Sequence, residues 1–124
     1  MSKAFVIHVH SGYGPTHYDL MLEEDQALAT WQLADCPGEL ATGQQLPARK
    51  LKDHRAAYLD YEGPVSGGRG HVRLFDKGAY ETIHRTPDCW QVRLDGQKLS
   101  GRFELRRVGP SPDEWTLESL GPAG

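Results

Sequence analysis

The chain has 124 residues, 38% hydrophobic and 25% charged, enough for one compact core and too few for two, so it reads as a single globular unit and not a disordered segment. Its formal charge of −3 argues against a protein that coats nucleic acid through a broad basic face, and leaves room for an enzyme that grips a few phosphates. No apolar run approaches the roughly 18 residues of a membrane span, and MSKAFVIHVH lacks the long apolar core of a secretory leader, so a cytoplasmic protein without membrane contacts is expected.

In chain order, Lys3–His10 is rich in β-formers and reads as a strand, and Ser11–Thr16, with Gly12, Gly14 and Pro15, as a loop. His17–Glu23 alternates as a second strand, Glu24-Asp25 is the expected turn, and Ala27–Leu33 a third strand. Cys36–Pro47, with its prolines and glycines, is predicted to be an irregular connection, and Arg49–Asp53 a further strand. Ala56–Leu59 can make one helical turn, closed by a loop over Glu62–Gly70. Val72–Asp76 and Ala79–His84 are predicted to form a hairpin about Lys77-Gly78. Trp90–Leu94 and Lys98–Arg107 form another, with Asp95-Gly96 as the tight turn. A last strand is expected over Trp115–Leu120, and Gly121–Gly124 is expected to fray. Seven or eight short strands with little helix point to a mainly β fold, a small barrel or sandwich. The unit spans residues 1–120, with 121–124 as a tail.

The segment from His10 to Asp19 brings three potential metal ligands within ten positions. On a strand, His17 and Asp19 point to one side, a few ångströms apart, and His10 can supply a third ligand across the loop. Two imidazoles and a carboxylate leave coordination positions open, as catalytic metals require, and mixed N/O ligation suits Mn²⁺, Fe²⁺ or Zn²⁺. Hydrogen-bonded surface histidines are the plain alternative. His8 competes with His10, because even-numbered residues of the first strand share a side. A second cluster is Lys50, Lys52, His54 and Tyr58. In a strand, Lys50, Lys52 and His54 fall on one side, and a following helical turn returns Tyr58 beside His54, an arrangement suited to a phosphate. An edge strand guarded by lysines is the competing reading. Val65–Gly70 is not a P-loop, lacking the GK[ST] ending, though it can carry Arg69 toward a site. His71 and His84 read as ordinary hairpin residues. Trp31, Trp90, Phe103 and Trp115 read as core, and Cys36 and Cys89 as free thiols.

These residues carry a resemblance to the 3′-phosphoesterase domain of DNA ligase D. That family has a strand ending in histidine, a short loop and His-Tyr-Asp-Phe-Arg-Leu-Glu; this chain has Phe5–His10, a loop and His17-Tyr18-Asp19-Leu20-Met21-Leu22-Glu23. Trp31, Asp53-His54 with Tyr58, Asp60–Gly63, Phe75–Glu81 and Leu94–Phe103 resemble further family segments in the same order, from about Phe5 to Leu117. The resemblance implies a small single-domain β-barrel of antiparallel strands. It implies a manganese-dependent site, with zinc or cobalt as alternatives, that removes 3′-phosphates and 3′-ribonucleotides from DNA or RNA–DNA ends in end-joining repair. Carried over, His10, His17 and Asp19 are the metal ligands, His54 and Tyr58 contact the phosphate, and His54 transfers a proton or stabilises the transition state.

The chain departs from the family at the positions of three cations, which align with Met21, Asp35 and Leu46. The loop between the ligand histidines is one residue longer, and the glycine-rich loop about three shorter. Lys50, Lys52, Arg49, Arg55 and Arg69 are the candidates to replace the missing charge, with Lys50, Lys52 and Arg69 expected at the phosphate. The expectation is a stand-alone, divergent phosphoesterase that works beside a separate ligase or polymerase. A non-catalytic module that binds metal and nucleic-acid ends, or a phosphoesterase of small molecules, is the alternative.

Overall fold

The β-branched and aromatic residues near the amino terminus alternate sides, and in the computed structural model, which describes residues 3–122, they build the first walls of a closed sheet. Nine strands are present among the described residues: β1 (Lys3–Ser11), β2 (His17–Glu24), β3 (Ala27–Leu33), β4 (Gln45–Arg55), β5 (Gly63–Pro64), β6 (His71–Thr86), β7 (Cys89–Gly96), β8 (Ser100–Arg107) and β9 (Glu114–Gly121). All pairings are antiparallel, in the order β1-β2-β3-β4-β9-β8-β7-β6-β5, and β6 also pairs with β1, closing the ring. The fold is mainly β, a barrel of antiparallel strands with only two short 3₁₀ turns, Pro37–Glu39 and Ala56–Leu59. No described helix is long and apolar enough to cross a membrane.

Phe5, Ile7, Leu20, Leu22, Trp31 and Leu33 point inward and meet Trp90, Val92, Leu94, Phe103, Leu105 and Leu117 from the far wall. Trp31 lies edge-to-face against Trp90 and Trp115, with ring centroids 5.8 and 5.7 Å apart. The expected core aromatics are therefore in or against the core, and Cys36 and Cys89 are free thiols. The opposite sides of β1, β2 and β3 carry a smaller apolar cluster on the outside of the barrel, Val6, Met21 and Leu28. Tyr58 and Leu59, from the turn that follows β4, pack over it. The neighbouring polar positions on that outer side are where a site can form.

Three local readings are corrected. The predicted hairpin about Lys77-Gly78 is one continuous strand, β6, whose first part pairs with β1 and whose second part pairs with β7. The cause is Asp76. Its buried carboxylate accepts backbone N–H bonds from Lys77 and Gln97 (both 2.9 Å), Lys98 (3.1 Å) and Leu99 (2.7 Å), which ties β6 to the β7–β8 turn. Gly78 lies so close to Asp95 and Gly96 that a Cβ there would overlap their backbone, so this glycine serves a strand crossing and not a turn. Second, Asp95-Gly96 belongs to β7, and the reversal falls at Gln97-Lys98, closed by Gly96 N–H to Leu99 O at 2.9 Å. The hairpin exists; its turn is two residues later. Third, the irregular connection ends early: β4 starts at Gln45, and Pro47 is accommodated because there β4 pairs only with β9. Of the tail, Gly121 closes β9 opposite Arg102, and residues 123–124 lie outside the described residues.

Candidate functional site

Antiparallel pairing of β1 with β2 places His10 directly opposite His17, and His8 opposite Asp19. Because Ile7 and Leu20 of the same ladder point into the core, these four side chains share the outer side. His10 and His17 have ring centroids 4.7 Å apart, and His17 Nε2 is 3.5 Å from Asp19 Oδ1. One donor atom each from His10, His17 and Asp19 lies within 4.8 Å of the others.

The rings are held by backbone carbonyls, which can only accept. His10 Nε2–H donates to Arg69 O at 2.7 Å, leaving Nδ1 as a ligand atom. His17 Nδ1–H donates to Pro15 O at 3.3 Å, leaving Nε2 toward Asp19. Such carbonyl partners orient metal-binding imidazoles and fix their tautomers. The Asp19 carboxylate facing Nε2, against the opposing effect of burial, raises the His17 pKa above its usual 6.5. Asp19 itself is buried, and its Oδ1 has no hydrogen-bond partner. A buried carboxylate oxygen left unbonded beside two oriented imidazoles fits a divalent cation, which would supply the missing partner. His10, His17 and Asp19 therefore form a possible metal-binding group.

A cleft of about 120 Å³ adjoins this group, lined by His8, His10, Asp19, His54, Tyr58 and Arg69, with Val65 and Val72 as apolar walls. His54 arrives through a bulge. Between Leu28 and Thr30 of β3, β4 carries an extra residue, so that Leu28 faces His54 while Thr30 faces Leu51. His54 Nδ1–H donates to Lys52 O at 3.1 Å, and the turn after β4 brings Tyr58 back, rings 5.9 Å apart, as expected.

The same bulge overturns the expectation that Lys50, Lys52 and His54 share one side. Lys50 lies opposite Trp31 with its ammonium 5.2 Å from that ring and 3.7 Å from Asp53, away from the cleft. Lys52 is exposed and does not line the cleft. Arg69 does, but its guanidinium is bonded to Ser66, Nε to the carbonyl at 2.8 Å and NH2 to the hydroxyl at 3.3 Å. Met21, at the position of a family arginine, is fully buried in the outer apolar cluster under Tyr58 and Leu59. Asp35 is exposed, Leu46 is half-buried, and neither lines the cleft.

His8 goes beyond the role weighed for it in the sequence. It is 2% exposed, its Nε2 has no partner, and burial holds its pKa below 6.5. Parity along β1 carried this signal; the orienting carbonyls of Pro15, Lys52 and Arg69 left none, since backbone groups are the same in every residue.

Comparison with known proteins bears on this constellation. The family model described as "DNA Ligase D 3'-phosphoesterase domain" matches residues 7–107. The chain is 32% identical over 125 residues to a multifunctional non-homologous end joining protein LigD of Mycobacterium bovis, covering 95% of this chain and 16% of that protein. It is 32% identical, with the same coverage, to a multifunctional non-homologous end joining DNA repair protein LigD of Mycobacterium tuberculosis. To LigD of Pseudomonas aeruginosa it is 33% identical over 100 residues, covering 74% of this chain and 12% of that protein. The chain thus spans about one sixth of the length of its mycobacterial relatives.

Proposed function

This chain belongs to the DNA ligase D 3′-phosphoesterase domain family, and from that premise we propose that it hydrolyses phosphate esters at nucleic-acid 3′ ends, removing a terminal 3′-phosphate or 3′-ribonucleotide with the aid of a divalent cation. The single observation that carries the reading is the convergence of His10, His17 and Asp19 donor atoms within 4.8 Å, beside a cleft that also holds His54 and Tyr58. His10 Nδ1, His17 Nε2 and Asp19 Oδ1 would hold the cation, for which we propose Mn²⁺. When bound it supplies positive charge against phosphoryl oxygens and lowers the pKa of water.

Hydrolysis adds water across a P–O bond: the bond to the leaving oxygen breaks, its electron pair stays on that oxygen, and a proton must reach it. His54, with Nδ1 committed to the Lys52 carbonyl, has Nε2 free to move that proton. The Tyr58 hydroxyl can donate to a phosphoryl oxygen as charge develops, and Val65 and Val72 keep part of the cleft dry. The relatives are named for end joining, and we place this chain in that setting, where a healed 3′ hydroxyl is what a ligase or polymerase extends or seals.

The test is direct. The protein is incubated with Mn²⁺ and a 5′-labelled primer ending in a 3′-phosphate or a 3′-ribonucleotide, while calorimetry follows Mn²⁺ uptake. Wild type should shorten or dephosphorylate the primer, and His17→Ala should lose both activity and high-affinity uptake. Equal product from the two proteins would refute the assignment. One observation favours a second reading, an end-binding module without turnover: Arg69 is the one cation among the described residues that line the cleft, and its guanidinium is already engaged by Ser66. Tight binding of the primer with no product under any divalent cation would select it.

A further inference from the structure

The cleft beside the histidines holds about 120 Å³, whereas pockets that enclose a nucleoside-sized ligand run to roughly 300–1,000 Å³. It admits a phosphate group and excludes the nucleoside attached to it, which must lie on the rim. Three segments adjoin the cleft: two contribute lining residues, and the third joins His10 to His17 and lies at Gly12 against Gly70. The 65–70 loop offers Ser66, Gly67, Gly68 and Arg69, with no ring among them. The segment after β4 offers Tyr58 and Tyr61, but these pack edge-to-face at 5.5 Å, and the Tyr61 hydroxyl is bonded to Pro64 O.

The third segment is the six-residue link between His10 and His17, with Tyr13 near its middle. Tyr13 is 58% exposed, against 44% for Ile83 and 39% for Val108, the other large apolar side chains left in solvent among the described residues. A single exposed ring is ordinary; its position is what counts. Gly12 and Gly14 flank it at φ +83° and +69°, so neither chain neighbour carries a side chain that could cover its ring. The Pro15 carbonyl bonded to His17 anchors the loop to the metal group two residues further on.

We propose that Tyr13 is the platform on which the nucleobase next to the reacting 3′ ester stacks, an inference that rests on the nucleic-acid-end reading of the same site. With net charge −3 and few cations at the cleft, stacking replaces charge as the main grip on the substrate. A base stacked on one aromatic side chain gains roughly 5- to 140-fold in affinity and tolerates any sequence, because every base has a π face. Stacking releases no counterions, so this part of the affinity is insensitive to salt.

The experiment uses the intact chain with Mn²⁺ and a short single strand ending in a 3′-phosphate. Its last residue carries either 2-aminopurine or no base. Wild type should quench the 2-aminopurine fluorescence and bind the base-bearing end roughly 10-fold more tightly than the abasic one. Tyr13→Phe should keep that preference, and Tyr13→Ala should lose it by a similar factor at low and high salt. Retention of the preference and the quench in Tyr13→Ala would overturn the platform. The readout needs no turnover, so the two readings fail separately. A protein that shows the preference but hydrolyses nothing refutes the esterase alone. One that hydrolyses both ends while discriminating neither refutes the platform alone, and binding of neither end refutes both.

Discussion

In the metal-free protein, His17 and His8 pull stability in opposite directions as pH changes. The Asp19 carboxylate raises the His17 pKa, so its contribution is fully present below the unfolded value of 6.5 and is lost as pH rises through the folded value. Burial lowers the His8 pKa, so stability is lost as pH falls below 6.5, where the unfolded chain takes up a proton that the folded one refuses. Urea unfolding between pH 5 and 8 with a chelator present should therefore show wild type most stable near pH 6.5 and less stable on either side. His8→Gln should become less stable as pH rises, and His17→Gln less stable as pH falls; parallel curves for the two variants would show that neither imidazole is perturbed in the folded state. With His17 in the proposed ligand role, adding Mn²⁺ should reverse its dependence, because a ligand nitrogen must give up its proton and affinity then weakens toward acid. Both histidines could be named from sequence, on one side of a strand. Their opposite titrations could not, because they come from burial and from a carboxylate on the neighbouring strand.

At the scale of elements, the loop before β6 reaches the site through its backbone. Val65 N–H donates to Gly70 O at 2.8 Å, Arg69 is folded onto Ser66, and the Arg69 carbonyl is thereby turned to His10. Gly70 makes this possible. It has φ +77° and packs so closely on β1 that a Cβ would overlap the Ser11 carbonyl. Gly70→Ala should push the loop away and release the His10 ring, weakening Mn²⁺ binding on the order of 10- to 100-fold, as loss of an orienting partner does. Calorimetry with a parallel thermal melt checks this; unchanged Mn²⁺ affinity would mean that the carbonyl does not orient His10. Arg69 was legible as a residue near a site, but as a side chain for holding phosphate. The contact that orients His10 comes from its carbonyl.

At the scale of the whole molecule, closure of the barrel depends on β6, whose 16 residues join β1 to β7. Asp76 sits at the crossing and accepts four backbone N–H bonds, three of them from the β7–β8 turn. Two segments that carry the family resemblance, Phe75–Glu81 and Leu94–Phe103, are thus parts of one unit. Asp76→Ala leaves those buried donors without a partner and should cost on the order of 3 kcal/mol. A chemical-denaturation midpoint measures it. A loss below about 0.5 kcal/mol, the usual range for an ordinary surface change, would show that the crossing does not need the carboxylate.

Alternation and turn residues alone pointed to the β class, most strands, the helical turn at Ala56–Leu59 and a shared side for His17 and Asp19, because side-chain direction in a strand has a period of two; between His8 and His10 as their partner the alternation could not choose. That local rule fails where the register slips. The bulge in β4 separates Lys50 from His54, and the carboxylate of Asp76 ties an apparent hairpin into a through-strand. Only the tertiary structure decided that the apolar residues at Val6, Met21 and Leu28 support a site on the outside of the barrel. That Arg69 lines the cleft came from the fold as well, because both features depend on contacts between segments distant along the chain.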